Sequence, residues 1–281
     1  MIRKSASIEN GQGEKIKIDL RFEQGTQDAP GVIIVHGFKG FKDWAFFPDI
    51  AVRLADAGYV AVSFNFSRNG IGNDPNEFEA LDQFALNTIS HELHDLECVL
   101  TAVQNGRLGK RLIDPEQIAI LGHSRGGGVA ALFTAEHADS VHSMITWASV
   151  SSFYRYSEEQ IKLWKDRGYI EVENARTKQI MRMNKTYWDD LDANRKRFDL
   201  LQAVQKIESP ALFIHGSEDN TVSADESKEL HDHCGSMVKR LEIVEGGDHT
   251  FGIKHPLEKV TTEYQTACDL TEHWLDNNLG Y

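Results

Sequence analysis

One serine lies at the junction between a predicted strand and a predicted helix. The apolar run Ile118–Leu121 is followed by Gly122-His123-Ser124-Arg125-Gly126 and then by the apolar stretch Val129–Phe133. In such a G-x-S-x-G pattern the glycines let the strand and the helix approach closely, and the serine hydroxyl projects above the sheet. The amides at the helix start face any negative charge that forms there. The pattern predicts Ser124 as a nucleophile, and the alternative is an ordinary strand-to-helix turn.

Short apolar, β-branched runs alternate with stretches of helical period along the chain. This alternation predicts an α/β fold with a mostly parallel central sheet covered by helices. Ahead of the central strands, Ile2–Ile8 and Lys15–Phe22 flank a glycine-rich turn and predict an antiparallel hairpin at a sheet edge. The central strands are predicted at Val32–Val35, Val60–Phe64, Ile118–Leu121, Met144–Trp147, Ala211–Ile214 and Leu241–Val244.

The alternation of strands and helices is interrupted between two of these strands. Residues 151–206 are polar and aromatic, with helical stretches and no predicted strand. We therefore predict one core formed by residues 1–150 and 207–281, with residues 151–206 inserted as a mainly helical cap. Because the insertion leaves and rejoins the sheet near one edge, it is expected to fold over a pocket there.

A serine hydroxyl needs a base, and the base needs a group that orients it. Asp219 lies on the loop after the strand Ala211–Ile214, and His249 lies on the loop after Leu241–Val244. Ligands of a parallel sheet gather at the carboxyl ends of its strands, where both loops begin. Asp248 and Glu218 are the competing carboxylates. Asp248 is disfavoured because the side chain of an adjacent residue is poorly placed to meet Nδ1 of His249.

The order Ser, Asp, His, with each residue after a different strand, resembles the α/β-hydrolase superfamily. Within it the chain is similar to bacterial dienelactone-hydrolase-like proteins and to cinnamoyl or feruloyl esterases. The resemblance rests on three stretches, namely His36-Gly37-Phe38-Lys39-Gly40, Gly122-His123-Ser124-Arg125-Gly126 and Asp248-His249-Thr250-Phe251. Dienelactone hydrolases use cysteine where this chain has Ser124, so ester hydrolysis is the better expectation than lactone hydrolysis.

The resemblance implies an α/β-hydrolase fold with helices on both faces of the sheet, and it implies roles for particular residues. Ser124 would be the nucleophile, His249 the general base and then acid, and Asp219 the carboxylate that orients the imidazole. The spacing Gly216-x-x-Asp219-x-x-Val222 matches the acid loop of the superfamily at Asp219 rather than at Glu218. The backbone amides of Phe38 and Arg125 would form the oxyanion hole.

Aromatic and cationic residues near the expected pocket are candidates for substrate binding. Trp147, at the end of a predicted strand, and Trp164 and Tyr187, in the insertion, could line it or could pack in the core. The stretch 153–206 carries 12 Lys and Arg against 9 Asp and Glu. Its cations could attract anionic esters or could form a solvated face; they include Arg176, Lys178, Arg182 and Lys185.

Composition excludes several other classes of protein. The 30 Lys and Arg and 43 Asp and Glu leave a formal net charge of −13, which opposes binding to nucleic acid. The three cysteines lack paired spacing, the N-terminus lacks the apolar run of a signal peptide, and no apolar stretch is long enough to span a membrane. We therefore expect a cytoplasmic protein that does not bind to a membrane.

No metal or cofactor is expected from the sequence. The segment His231 to Cys234 holds two histidines and a cysteine but has no second ligand cluster, which favours a surface helix end over a zinc site. The run Gly126 to Gly128 lacks the Lys-Ser/Thr of a nucleotide loop. Cys268 shares a predicted helix face with apolar residues and is interpreted as buried.

These features together predict a serine carboxylesterase acting on small or aromatic esters through an acyl-enzyme on Ser124. A serine peptidase or amidase of the same fold is the first alternative, although such peptidases often carry a propeller domain, for which 281 residues leave no room, or a site for a free amino end. A non-catalytic binding protein of this fold is the second alternative, disfavoured because no member of the triad is lost. The expected partner is a small-molecule ester, and homo-oligomer formation stays open.

Overall fold

The computed structural model describes residues 1–279; residues 280–281, which the predicted core includes, lie outside the described residues. The strands are β1 (Ile2–Glu9), β2 (Lys15–Phe22), β3 (Ala29–Val35), β4 (Val60–Phe64), β5 (Ile113–His123), β6 (Ser143–Trp147), β7 (Tyr169–Glu173), β8 (Ile180–Asn184), β9 (Ala211–Gly216) and β10 (Lys239–Val244). The helices are α1 (Phe47–Asp56), α2 (Leu81–Ala85), α3 (Ile89–Gln104), α4 (Arg125–Glu136), α5 (Glu158–Arg167), α6 (Lys185–Ala193), α7 (Leu200–Ala203), α8 (Ala224–His233) and α9 (Thr262–Asn278).

One large sheet organises the molecule, in the order β1-β2-β4-β3-β5-β6-β9-β10. β1 pairs antiparallel with β2, and β2 pairs antiparallel with β4. All the other neighbours in this order are parallel. The α/β class, the edge hairpin and the six predicted central strands are confirmed. Four of these strands, β3, β5, β6 and β10, begin earlier than predicted, and β5 and β9 end later.

Side chains alternate between the two faces of the sheet because successive residues of a strand point in opposite directions. In β3, Ile33 and Val35 face one apolar core, which α3, α4 and α8 cover, whereas Val32 and Ile34 face a second core, which α1 and α9 cover. Helices therefore cover both faces, as predicted. Within residues 1–279, no helix is both long and apolar enough to cross a membrane.

Residues 151–206, which the sequence predicts as an inserted cap, differ from the prediction in their secondary structure. Besides α5, α6 and α7 they contain the antiparallel hairpin of β7 and β8, so the expectation that they have no strand is wrong. The hairpin follows from a two-residue period, since Ile170, Met181 and Met183 are buried while Glu171 and Arg182 are exposed. This alternation packs one face of the hairpin against the core.

The parallel strands place four loops at one edge of the sheet. β3, β5, β9 and β10 are mutually parallel, so their carboxyl ends lie on the same side of the molecule. The loops that follow these strands carry Phe38, Ser124, Asp219 and His249. The fold thus gathers residues from distant parts of the sequence around one edge.

Candidate active site

Ser124 occupies a strained turn between β5 and α4. Its backbone has φ +57° and ψ −123°, a conformation that is uncommon for residues other than glycine. The turn is possible because Gly122 and Gly126 have no side chain. A Cβ atom on Gly122 would lie 2.3 Å from the carbonyl oxygen of Gly126, and one on Gly126 would lie 2.4 Å from that of His36. The two glycines therefore allow the close approach that presents the Ser124 hydroxyl.

The three predicted side chains form a continuous chain of hydrogen bonds. His249 Nε2 lies 3.0 Å from Ser124 Oγ, and His249 Nδ1 lies 2.7 Å from Asp219 Oδ2. The Asp219 side chain is fully buried, whereas that of His249 is 18% exposed. Nδ1 donates to the carboxylate, so Nε2 of the neutral ring is free to accept the hydroxyl proton.

Asp219 is held by four donors. Its Oδ1 accepts from the backbone amides of Thr221 at 2.8 Å and Val222 at 2.9 Å, and its Oδ2 accepts from His249 and His215. Burial alone would raise the pKa of this carboxyl, but the bonds from the two histidines outweigh it and hold the pKa well below its usual range. Asp219 is therefore ionised throughout the neutral range.

The competing carboxylates do not reach the imidazole ring. Asp248 Oδ1 accepts from the backbone amides of Thr250 at 2.8 Å and Gly252 at 2.7 Å, so this carboxylate stabilises its own turn. Glu218 is exposed to solvent. The carboxylate next to His249 in space is therefore the one 30 residues away in sequence.

His215 is a residue of the site that the sequence analysis missed. Its Nε2 lies 3.1 Å from Asp219 Oδ2 and 2.9 Å from the carbonyl oxygen of Val222, and its Nδ1 lies 2.7 Å from Ser227 Oγ. Because Nε2 faces two acceptors it carries a proton, while Nδ1 forms a hydrogen bond with the hydroxyl of Ser227. The spacing His215-Gly216-x-x-Asp219 was the available signal, since it puts the histidine at the end of the strand that leads to the carboxylate.

Phe38 and Arg125, the residues of the two predicted oxyanion amides, line the same cavity as Ser124. A Cβ atom built on Gly37 would lie 3.0 Å from Ser124 Cβ, so the loop after β3 passes directly over the serine turn. Neither amide donates to another residue within the described part of the chain. Arg125 is the first residue of α4, whose N-terminal dipole favours negative charge at this point.

The guanidinium of Arg125 is engaged below the surface of the site. It forms an ion pair with the buried Glu92 on α3, and it lies 4.4 Å from the ring centroid of Phe38. Burial raises the pKa of Glu92 despite this cation. The Arg125 side chain therefore ties α4 to α3 and supports the ring of Phe38.

Two cavities meet at Ser124. The arginine-side cavity, of about 220 Å³, is lined by Ser124 with Phe38, Arg125, Phe153, Arg155, Tyr156 and Tyr187, among others. The histidine-side cavity, of about 390 Å³, is lined by Ser124 with Phe38, Lys39, Trp44, His123, Arg176 and His249, among others. Within residues 1–279, no Asp or Glu lines either cavity. Phe38 and Ser124 form part of the boundary between them.

Of the three predicted substrate-binding aromatics, only Tyr187 lines a cavity at Ser124. Trp147 is buried in the core, where its indole donates to Thr271 Oγ1 at 3.0 Å, so of the two predicted alternatives the structure shows core packing. Trp164 is also buried, and its indole donates to the carbonyl oxygen of Met183 at 2.8 Å. Both tryptophans turn inward because burying a large ring together with a satisfied N–H stabilises the fold.

Of the four candidate cations in residues 151–206, one lines a cavity at Ser124 and three do not. Arg176 lines the histidine-side cavity. Lys178 pairs with Glu173, Arg182 with Glu171 and Lys185 with Asp189, and all three cations lie on the exposed surface of the segment. These three cations therefore form a solvent-exposed face, which was one of the two alternatives that the sequence left open.

The side chains of the segment His231 to Cys234 are engaged in contacts of their own. His231 Nδ1 contacts Asp232, His233 Nδ1 donates to the carbonyl oxygen of Glu229, and Cys234 is buried. No group of three or more potential ligands in the described residues is arranged to hold a metal ion. Cys268 is buried as expected, and burial raises its pKa to about 12.

Comparison with known proteins identifies similar sequences and folds. A profile of the prolyl oligopeptidase family matches residues 44–278, more than four fifths of the chain. No curated protein sequence matches it. Among solved structures, Est1E from Butyrivibrio proteoclasticus with ferulic acid bound has a TM-score of 0.74 at 16% identity, over 98% of this chain and 99% of that chain.

Two further solved structures extend the likeness. The α/β hydrolase GrgF from Penicillium sp. sh18 has a TM-score of 0.77 at 19% identity over the whole of both chains. A dienelactone hydrolase from Anabaena variabilis ATCC 29413 has a TM-score of 0.66 at 16% identity, over 99% of this chain and 98% of that chain. The α/β-hydrolase fold implied by the sequence is thereby confirmed.

Proposed function

This chain belongs to the prolyl oligopeptidase family and is a hydrolase, and we propose that it is a serine carboxylesterase acting on small or aromatic esters. One observation carries the proposal: His249 bridges Ser124 Oγ and the buried, ionised Asp219 with hydrogen bonds of 3.0 and 2.7 Å. That arrangement supplies a nucleophile, a base and an orienting carboxylate.

The proposed reaction has two steps. Ser124 Oγ attacks the ester carbonyl while its proton passes to His249 Nε2, and the bond to the leaving oxygen breaks as His249 returns that proton to it. Water then attacks the acyl carbon, gives a proton to His249, and releases the acid as Ser124 Oγ recovers that proton. The net reaction converts ester and water into acid and alcohol.

The amides of Phe38 and Arg125 are proposed to stabilise the oxyanion of each tetrahedral intermediate. Each such donor contributes on the order of 3 kcal/mol to transition-state stabilisation. Support comes from their position beside Ser124 and from the fact that neither amide is used by another described residue. The arrangement would meet the developing charge with donors already in place.

The inserted segment, residues 151–206, is proposed to act as a cap. Phe153, Tyr156 and Tyr187 line the arginine-side cavity, and Arg176 lines the histidine-side cavity. A substrate at Ser124 would therefore lie between this segment and the carboxyl edge of the sheet. Exclusion of water from that space would strengthen the electrostatic interactions of the site.

A peptidase is the second candidate, because the family takes its name from one. A site for a free amino end needs a carboxylate to pair with the ammonium group. The described residues lining both cavities include cations but no Asp or Glu. This charge pattern favours an ester over a peptide with a free amino end.

The test is a panel of aryl, alkyl and hydroxycinnamoyl esters together with aminoacyl amides, run on the wild type and on Ser124→Ala. We expect the wild type to hydrolyse esters and to be labelled by a fluorophosphonate. Ser124→Ala should lose the labelling and at least about a thousandfold in kcat, while its thermal unfolding is retained. Amide cleavage without ester cleavage would select the peptidase, and equal activity in Ser124→Ala would contradict both.

A further inference from the structure

Only one of the two cavities at Ser124 is lined by the proposed general acid, His249. His249 lines only the histidine-side cavity, and Ser124 lines both. In the proposed reaction the leaving oxygen takes its proton from His249 Nε2, so it must lie within hydrogen-bond distance of that atom. The leaving group therefore occupies the histidine-side cavity and the acyl group the arginine-side cavity, an assignment that rests on the proposed function.

The histidine-side cavity contains a cation, Lys39, that the carboxylate of Glu173 attracts but does not contact as an ion pair. Lys39 Nζ donates to the backbone carbonyl of Glu173 at 2.9 Å and forms no ion pair with a described residue. Burial lowers the pKa of Lys39 by more than the nearby carboxylate of Glu173 raises it, so the protein offsets the charge of Lys39 only in part. Its positive charge is therefore available to a ligand.

Arg176 presents a second cation to the same cavity. It donates to the backbone carbonyl of Asn76 at 2.7 Å, and it forms an ion pair of 3.7 Å with Glu77, whose side chain is exposed to solvent. By contrast, Lys178, two residues along the same turn, pairs with Glu173 at 3.1 Å and does not line the cavity. Lys39 and Arg176 thus form a positive wall in a protein whose net charge is −13.

The cations of the other cavity form closer ion pairs, with carboxylates that are less exposed than Glu77. Arg125 forms an ion pair with the buried Glu92, and Arg155 NH1 contacts both carboxylate oxygens of Glu226. An anionic acyl group would have to compete with these carboxylates. Because of this difference in ion pairing, an anion should be attracted to the histidine-side cavity, which holds the leaving group.

An aromatic wall completes the histidine-side cavity. Trp44 lies stacked near His123 with 6.4 Å between ring centroids, and Phe38 lies stacked near Phe84 at 5.7 Å. Fixed rings of this kind offer flat apolar surface to a planar group.

We propose that the enzyme is selective for esters whose leaving group carries a carboxylate on an aromatic ring, with Lys39 and Arg176 binding the carboxylate in the histidine-side cavity. The attraction is electrostatic and lies close to the reacting bond. It adds specificity to the proposed esterase activity without a further chemical step.

Two matched pairs of esters test this. The first pair differs in the leaving group: 4-(butyryloxy)benzoate against 4-(butyryloxy)benzamide. The second pair differs in the acyl group: the phenyl monoester of terephthalic acid against the phenyl ester of its monoamide, in which neither the carboxylate nor the amide can reach the ester of the same molecule. Each kcat/KM is divided by the rate of uncatalysed hydrolysis of the same ester, which removes differences in intrinsic reactivity. We expect a preference for the anion in the first pair alone, weakening as salt is added.

Three variants test the residues. Lys39→Gln and Arg176→Gln should each lower the anion preference of the first pair by about tenfold, the low end for a charge-assisted hydrogen bond. The matched control Lys178→Gln removes a cation from the same turn outside the cavity and should leave the preference unchanged. Thermal unfolding of each variant checks that it is folded.

The outcomes separate this inference from the proposed function. If the wild type hydrolyses neither of the two neutral esters, one from each pair, the esterase proposal fails. If it hydrolyses them but shows no anion preference, or shows it in the acyl pair, the inference is wrong and the esterase proposal stands. A preference that survives both Lys39→Gln and Arg176→Gln, or that is lost equally in Lys178→Gln, also overturns it.

Discussion

The replacement Asp219→Asn tests how the carboxylate controls the histidine. Oδ1 of Asp219 accepts from two backbone amides at 2.8 and 2.9 Å, and those donors cannot become acceptors. An asparagine must therefore turn its oxygen toward the amides and its NH2 group toward His249, in the place of Oδ2. His249 would then accept at Nδ1 and carry its proton on Nε2, which faces Ser124 Oγ at 3.0 Å. In that tautomer the ring cannot take the serine proton.

The expected loss is about 10⁴-fold in kcat, the size seen when the same substitution inverts the tautomer in a serine protease triad. It corresponds to about 5 kcal/mol of activation free energy. KM should change much less than kcat, because the Asp219 carboxylate does not line either cavity.

Asp248→Asn is the matched control, since it changes the neighbouring carboxylate in the same way. Its Oδ1 accepts from two backbone amides at 2.8 and 2.7 Å, and an asparagine oxygen can keep both bonds. We expect kcat to stay within about threefold of the wild type. Steady-state hydrolysis of a neutral aryl ester and thermal unfolding measure both variants. An Asp219→Asn enzyme within tenfold of the wild type, or an equal loss in Asp248→Asn, would refute the reasoning.

Three further predictions follow from individual contacts. His215→Asn should lower kcat by about tenfold with little change in KM, because it removes one N–H donor from Asp219; steady-state kinetics with unchanged kcat and raised KM would contradict this. Burial lowers the pKa of His36 to about 4 in the folded protein, against about 6.5 in the unfolded chain. Between about pH 4 and about pH 6.5 the unfolded chain therefore binds a proton at His36 that the folded protein does not, so the free energy of unfolding falls as the pH falls. Urea unfolding should show that His36→Gln reduces this slope by about 1.2 kcal/mol per pH unit near pH 5.5, and identical slopes would argue against a buried neutral ring. Gly126→Ala should lower the free energy of unfolding by at least about 2 kcal/mol, because its Cβ would lie 2.4 and 2.5 Å from two backbone carbonyl oxygens; an unchanged denaturation midpoint would show that the turn can relax.

Much of the fold was predictable because the spacing of apolar residues along the chain indicates individual strands and helices. The buried strand β4 begins and ends where its apolar run does, at Val60 and Phe64, and the face formed by Leu93, Leu96 and Leu100 is buried along α3. Such patterns need only neighbouring residues to be recognised. The loop that follows each parallel strand could be placed for the same reason.

The β7–β8 hairpin was missed although its signal was local. Ile170 and Val172 alternate with exposed glutamates, and Met181 and Met183 alternate in the same way, but each run is only five residues long. In a run of five residues flanked by helical stretches, the two-residue period of a strand cannot be told from the 3.6-residue period of a helix. Pairing between the two strands resolves that ambiguity, and pairing is a tertiary contact.

The sequence by itself determined the order and type of the core elements and the candidate residues Ser124, Asp219 and His249, because a strand-turn-helix pattern and the loops at strand ends are local features. Only the tertiary structure decided which side chains meet. Arg176 lines the cavity at Ser124, while Lys178, two residues away, pairs outside it. His215 touches Asp219, whereas Trp147 turns into the core. The physical reason is that a side chain turns toward the surface that buries its apolar atoms and toward the partners that form hydrogen bonds with its polar atoms. Those surfaces and partners come from distant parts of the sequence, and only the folded chain brings them together.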